Sequence, residues 1–205
     1  MLLSLLDYIG VAVFAVSGAI AASRRRLDLV AFIFFATMTG IGGGTLRDLI
    51  LDVPVFWTEA PEYLGVCALA AVGMWFLADR AEHWGRPLRW ADAVGLAAYS
   101  VMGAAKALGV GSPPSVAIVM GVSTATFGGV MRDLVAGEPS VIIRPEIYLT
   151  AAFLGAGTFA LLSSLGLNAW WAAGFGFSAA LLLRGGAIIK GWHLPGYAGR
   201  TKKRP

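Results

Sequence analysis

Hydrophobic residues in this chain fall into long runs separated by short polar punctuation. Residues 2–22 are apolar apart from Asp7, long enough to cross a hydrocarbon core of about 30 Å. Arg24, Arg25 and Arg26 follow this run instead of preceding it, the reverse of a cleaved signal peptide, so a retained helix is predicted. The next apolar run covers 29–51. Asp52 to Glu62 is polar and contains Pro54 and Pro61, a loop pattern. Runs over 63–78, 92–108 and 115–135 predict three further helices, with 79–89 as an aqueous loop and 109–114 as a turn. Beyond Glu146 no charge appears until Arg184, too long a stretch for one crossing, and 163–168 divide it in two. Seven spanning helices are predicted, then a basic tail (190–205) expected to be poorly ordered at its end.

The second and fifth runs share a motif. Thr39-Gly40-Ile41-Gly42-Gly43-Gly44-Thr45-Leu46-Arg47-Asp48 returns as Thr124-Ala125-Thr126-Phe127-Gly128-Gly129-Val130-Met131-Arg132-Asp133, displaced by 85 residues (132 − 47). Without a gap, the same shift places Asp7 on Asp92, Gly10 on Gly95, Gly18 on Gly103, Pro54 on Pro139 and Tyr63 on Tyr148. The chain therefore reads as one membrane domain over 1–205. A first three-helix repeat occupies 4–80, a second 92–165 and a seventh helix 169–189, with the tail over 190–205. Three helices per unit force the second to enter the membrane from the opposite side, an inverted repeat.

Composition agrees. Hydrophobic residues make up 58% and charged residues 14%, against about 25% charged in ordinary globular domains, and mean hydropathy is +0.74. The net charge of +4 would suit nucleic acid, but in a membrane protein basic residues set topology. With the N-terminus outside, Arg24–Arg26, Arg80, Arg86, Arg89, Arg132, Arg144 and every basic residue from 184 onward lie inside; only Arg47 and Lys106 lie outside. Arg24–Arg26 become Gly109-Val110-Gly111 in the second unit, as opposite placement requires. Trp57, Trp84, Trp90, Trp170, Trp171 and Trp192 flank apolar runs and are candidate interfacial anchors. The single Cys67 is a small hydrophobe in an apolar run, and His83 and His193 sit in separate polar segments. No Walker loop, HExxH zinc pattern or nucleophile elbow is present, so neither an enzyme nor a cofactor is expected.

The candidate chemistry lies in the duplicated motif. Each glycine costs a helix about 1 kcal/mol relative to alanine, so Gly42, Gly43 and Gly44, and Gly128 and Gly129, predict a bend or break in the middle of their helices. Unwound backbone at membrane depth must face protein or water, and paired broken helices at a repeat interface mark transport sites. Close helix packing is the structural alternative; it also suits Gly10, Gly18, Gly95 and Gly103. Arg47, Asp48, Arg132 and Asp133 are costly against lipid, about 2.5–3.5 kcal/mol each at mid-helix. They either line a central path or snorkel to the headgroups. Lys106 is either a snorkelling lysine or a charge at a pore mouth.

Two three-helix inverted repeats plus a seventh helix, with Gly-Gly-Gly-Thr-Leu-Arg-Asp in one and Gly-Gly-Val-Met-Arg-Asp in the other, resemble the prokaryotic TRIC (trimeric intracellular cation) channels over about residues 4–190. The resemblance implies an all-α, seven-helix fold and a homotrimer with one pore per protomer. It implies kinked second and fifth helices lining that pore, with Gly42, Gly43, Gly44, Gly128 and Gly129 as hinges. Arg47, Asp48, Arg132 and Asp133 would be its charged motif residues, and monovalent cations, K⁺ or Na⁺, the permeant species; Lys106 is a further candidate pore charge on its position alone. It implies a multi-pass protein of the bacterial inner membrane, in contact with lipid and not with nucleic acid. Phe127 replaces Gly42 and Val130 replaces Thr45 in the second copy, which stiffens that hinge. Related bacterial sequences are described as glycine transporters, so a carrier for a small solute is the competing expectation.

Overall fold

The computed structural model describes residues 2–81, 85–143 and 146–195. His83, Trp84, Arg144 and the end of the basic tail lie outside the described residues, as do the side chains of Arg80 and Arg86. Eight helices occur among the described residues: α1 Leu2–Arg24, α2 Leu29–Ile50, α3 Phe56–Glu59, α4 Glu62–Ala81, α5 Gly85–Gly109, α6 Pro114–Ala136, α7 Leu149–Ser164 and α8 Ala169–Lys190. Their ends follow local chemistry. Asp28 caps α2 by accepting from the Ala31 amide at 2.8 Å, and Asn168 caps α8 by accepting from the Trp170 amide at 2.9 Å, each satisfying a donor that the first turn leaves free. Pro114 opens α6, where its missing amide costs nothing. Gly137 closes α6 in the left-handed conformation, φ +65°, which glycine adopts without strain.

Two expectations are corrected. Residues 79–89 do not form an aqueous loop: α4 continues to Ala81 and α5 already starts at Gly85, with Pro87 in its first turn, where proline is tolerated. The loop at 52–62 contains the short α3. Among the described residues, four helices are both long and apolar enough to cross a membrane: Leu5–Arg24, Leu29–Ile50, Pro114–Ala136 and Ala169–Lys190. Glu62–Leu77 and Leu149–Ser164 are apolar but shorter. The more charged helix α5 packs on α1, α6, α7 and α8. Its Leu96, Ala97, Ala98, Tyr99 and Val101 are buried. Phe34, Leu69, Phe76, Phe153, Leu161 and Leu182 point outward and are exposed, an apolar jacket suited to lipid.

The glycine motifs do not unwind their helices. Both α2 and α6 are uninterrupted from end to end, so the backbone is not unwound there, and Gly43 and Gly128 allow close approach of the two helices. A Cβ on Gly43 would overlap the Thr124 carbonyl oxygen, and one on Gly128 would overlap the Thr39 carbonyl oxygen. As α2 advances from 39 to 43, its contacts on α6 run back from 128 to 124, so the two helices cross antiparallel. Gly18 lies on the Phe35 carbonyl and Gly103 on the Met120 carbonyl, and Thr39 and Thr124 donate to those same carbonyls at 2.7 and 2.6 Å. Every contact in this set reappears 85 residues on.

Replacing Gly43 with alanine is expected to destabilise the purified protein by about 1–3 kcal/mol, the cost of overpacking a site that backbone surrounds. Gly157, which faces open space, is expected to accept alanine with a gain of about 0.5–1 kcal/mol from helix propensity. Thermal unfolding in detergent measures both. Equal melting temperatures for the two variants would contradict the close crossing.

Candidate functional site: two charged clusters at opposite ends of the α2–α6 crossing

Arg47 and Asp48 close α2, and their side chains are only 2% and 0% exposed. They pair with each other, Arg47 Nε to Asp48 Oδ1 at 2.7 Å. Neither snorkels. The other carboxylate oxygen of Asp48 accepts from the Phe56 amide at 2.9 Å, tying the start of α3 to the end of α2. Phe56 in turn fills the space left by Gly44, where a Cβ would come within 2.6 Å of its ring, and the Arg47 guanidinium lies 5.7 Å from the ring centre. Lys106, at the end of α5, reaches Asp48 Oδ1 at 3.5 Å. Beside them Tyr63 donates to Asp7 Oδ2 at 2.9 Å and stacks on Tyr8 at 4.3 Å.

The second cluster repeats this plan. Arg132 pairs with Asp133 through Nη2 and Nε at 2.7 and 2.9 Å, and Asp133 Oδ2 accepts from the Val141 amide at 2.9 Å. Val141 is 85 residues beyond Phe56. Arg132 also faces Asp92 Oδ1 at 3.6 Å and donates to Ser17 Oγ, crossing from the second half to the first. Gly129 leaves room beside Arg132 and Tyr148: a Cβ there would lie 3.4 Å from Tyr148 Oη. Gly42 makes only a marginal approach, 4.0 Å from the Gly128 Cα. A cavity of about 330 Å³ opens at this end, walled by Arg24, Arg89, Arg132, Arg184, Asp92, Asp133, Glu138 and Glu146 among others.

The clusters sit at opposite ends of the bundle. Along α1, Asp7 serves one and Ser17 the other, about 15 Å apart at 1.5 Å per residue. Along α5, Lys106 and Asp92 are about 21 Å apart on the same measure. Asp7/Asp92, Arg47/Arg132 and Asp48/Asp133 correspond between them, but Lys106 has no counterpart. The residue 85 positions before Lys106 is Ala21, which lines the second cavity beside Asp133, so the two ends are matched in plan but not in charge.

The motif pairs Arg47–Asp48 and Arg132–Asp133 were visible in the sequence. The partners were not. Asp7, Asp92, Tyr63 and Tyr148 coincide at the shift, a signal sufficient to nominate them. Ser17, Glu146, Arg184 and the amides of Phe56 and Val141 carry no such signal, because α8 has no counterpart and backbone groups leave no trace in composition.

Removing Asp48 leaves a buried guanidinium unpaired. Asp48→Ala is expected to cost about 3–5 kcal/mol, whereas the double replacement Arg47→Met/Asp48→Leu is expected to cost far less, since loss of one member of a buried pair is worse than loss of both. Thermal unfolding of the two variants provides the comparison, and a double variant no more stable than Asp48→Ala would contradict mutual neutralisation.

A family model described as a glycine transporter matches residues 4–79 and again 89–164, two matches displaced by the same 85 residues. The chain is 38% identical over 201 residues to the inner membrane protein YadS of Escherichia coli K12, covering 95% of this chain and 94% of that protein. It is 36% identical over 199 residues to the membrane protein YvgT of Bacillus subtilis, covering 93% and 94%. Among solved structures it matches the TRIC trimeric intracellular cation channel orthologue from Rhodobacter sphaeroides, with 47% identity, a TM-score of 0.90, and coverage of 93% of this chain and 99% of that one. A second structure, solved to explain conductance through TRIC cation channels, matches with 31% identity and a TM-score of 0.88 over 96% and 98%. Taken with the shared helical fold and the duplicated Arg-Asp clusters, these matches make the chain a bacterial membrane protein belonging to the prokaryotic TRIC channel family.

Proposed function

We propose that this protein is a channel for monovalent cations, permeable to K⁺, that assembles as a homotrimer with one pathway in each protomer. The pathway follows the α2–α6 crossing and is bounded at its ends by the Asp7–Arg47–Asp48–Lys106 and Asp92–Arg132–Asp133 clusters. The observation that carries this proposal is the pair of matching charged clusters, held on opposite ends of one antiparallel crossing. The two solved TRIC structures, one a trimeric intracellular cation channel orthologue and the other bearing on conductance through TRIC cation channels, lend it support.

Arginines beside a cation path are an apparent obstacle, and the ion pairing removes it. Arg47 and Lys106 are balanced by Asp7 and Asp48, and Arg132 is balanced by Asp92 and Asp133. A cation therefore meets weak, compensated sites, the condition for entering and leaving quickly. The helices are unbroken, so side chains and water line the route instead of freed carbonyls, and the glycines set how closely α2 and α6 approach. The topology in this proposal is seven spanning helices, two inverted three-helix repeats plus α8, with the N-terminus outside and the C-terminus in the cytoplasm of a bacterial inner membrane. The charge asymmetry between loops supports this orientation. Neither a cofactor nor an enzymatic step is required. A carrier is the second candidate, favoured by the family model's description and by a cavity lined with both signs of charge.

Reconstituted in a planar bilayer in KCl, the protein is expected to give discrete unitary currents. Arg132→Ala is expected to alter their amplitude, with the difference shrinking as salt rises and the Debye length falls from about 10 Å at 0.1 M to about 3 Å at 1 M. Silence in the bilayer combined with saturable glycine uptake into vesicles would establish the carrier instead. Separately, a reporter fused after Lys190 is expected to register as cytoplasmic and one within 163–168 as external; an external C-terminus would overturn the inverted-repeat topology.

A further inference from the structure

The unrepeated helix α8 contributes one charge to the second cavity. Arg184 is buried, its side chain 4% exposed, and it reaches Glu146 Oε2 at 2.7 Å and the Ile147 carbonyl oxygen at 3.3 Å. Its guanidinium lies 5.1 Å from the centre of the Tyr148 ring. Three consecutive residues at the head of α7 are thus fastened by one side chain. In the first half the corresponding segment is fastened differently: Tyr8 on α1 donates to Glu62 at 3.1 Å. Tyr8 falls on Ala93 at the 85-residue shift, and alanine has nothing to donate. The helix α8 makes up for that missing fastening.

The fastening is not saturated. Arg184 Nε is buried without a hydrogen-bond partner, and Asp92 Oδ1, although 3.6 Å from Arg132 Nη1, accepts no hydrogen bond either. Both residues wall the same cavity. A donor and an acceptor in one cavity that both lack a hydrogen bond can form a second arrangement, since each such buried group carries a standing penalty. Glu146, by contrast, is 35% exposed, so water can take over its carboxylate when it leaves. Glu146 is therefore the partner that can be given up.

We propose that Arg184 is a two-position latch and acts as a positioning residue for transport, an inference that rests on the channel reading above. In one position it grips Glu146 and keeps the head of α7 against the cavity. In the other it turns to Asp92, Glu146 is released to water, and the cavity opens. A bistable side chain of this kind lets one end of the pathway open independently of the other.

The test uses the full-length protein with Ala21→Cys on a Cys67→Ala background, labelled by a charged methanethiosulfonate reagent in proteoliposomes. Ala21 lines the cavity, so its labelling rate reports opening whether or not ions flow. Glu146→Gln is expected to speed labelling about threefold, the scale of a partly exposed ion pair, and to raise open probability by the same factor. Adding Asp92→Asn is expected to abolish that gain, because the second position loses its charged acceptor. Should Glu146→Gln fail to assemble, Glu146→Asp, which withdraws the carboxylate by one methylene, serves in the same assay. An unchanged labelling rate, or a gain that survives Asp92→Asn, overturns the latch. A wild-type protein that labels as expected but passes no current counts against the channel and not against the latch.

Discussion

The close approach of α2 to α6 is the constraint on which the rest of the structure depends. Two helices can bring backbone to within contact only where both present glycine, and here each offers one to the other's threonine, Gly43 to Thr124 and Gly128 to Thr39. No hydrophobic effect drives helices together in lipid, so dispersion contacts over small residues must do so. Thr39 and Thr124 fold their hydroxyls back onto the carbonyls four residues earlier. This satisfies the hydroxyls locally and keeps polar groups from demanding partners across the interface. Gly18 and Gly103 then seat α1 and α5 on the same two turns. Four helices are thereby locked around two residues and their repeats.

With that crossing set, the charges have little freedom. Arg47 and Arg132 are carried into the bundle one turn beyond the glycines, where an unpaired guanidinium would be prohibitively costly. Each takes the neighbouring aspartate, and each aspartate uses its second oxygen on a backbone amide eight residues later, Phe56 or Val141. One carboxylate therefore neutralises a charge and fastens the connection that follows its helix. Function and fold share these atoms, which is why the clusters are both candidate pathway elements and stability determinants.

The two ends are not copies. Lys106 adds a cation to one, where Ala21 stands at the other, and α8 adds Arg184 and its hold on Glu146. The 85-residue repeat supplies a common frame, and these residues make its two ends chemically different. At the crossing the contacting residues Thr39/Thr124 and Gly43/Gly128 are kept, because contact distance imposes symmetry there.

Much was legible in the sequence. The apolar runs located the long helices to within a few residues, since burial in lipid demands length and apolarity that few other contexts require. The 85-residue shift exposed the pairs Arg47–Arg132, Asp48–Asp133, Asp7–Asp92 and Tyr63–Tyr148, because a duplicated fold repeats its polar positions in register. Glycine content alone could not distinguish a broken helix from a close-packed one. Both use the missing side chain, and only the location of Thr39 and Thr124 against Gly128 and Gly43 decides for packing. The helical start of α5 was hidden because Arg86, Pro87 and Arg89 give its first turns the composition of a loop. Arg184 was beyond reach from sequence. Its meaning comes from Glu146, 38 residues away, and from two buried atoms that lack a hydrogen bond, and neither fact exists until the chain is folded.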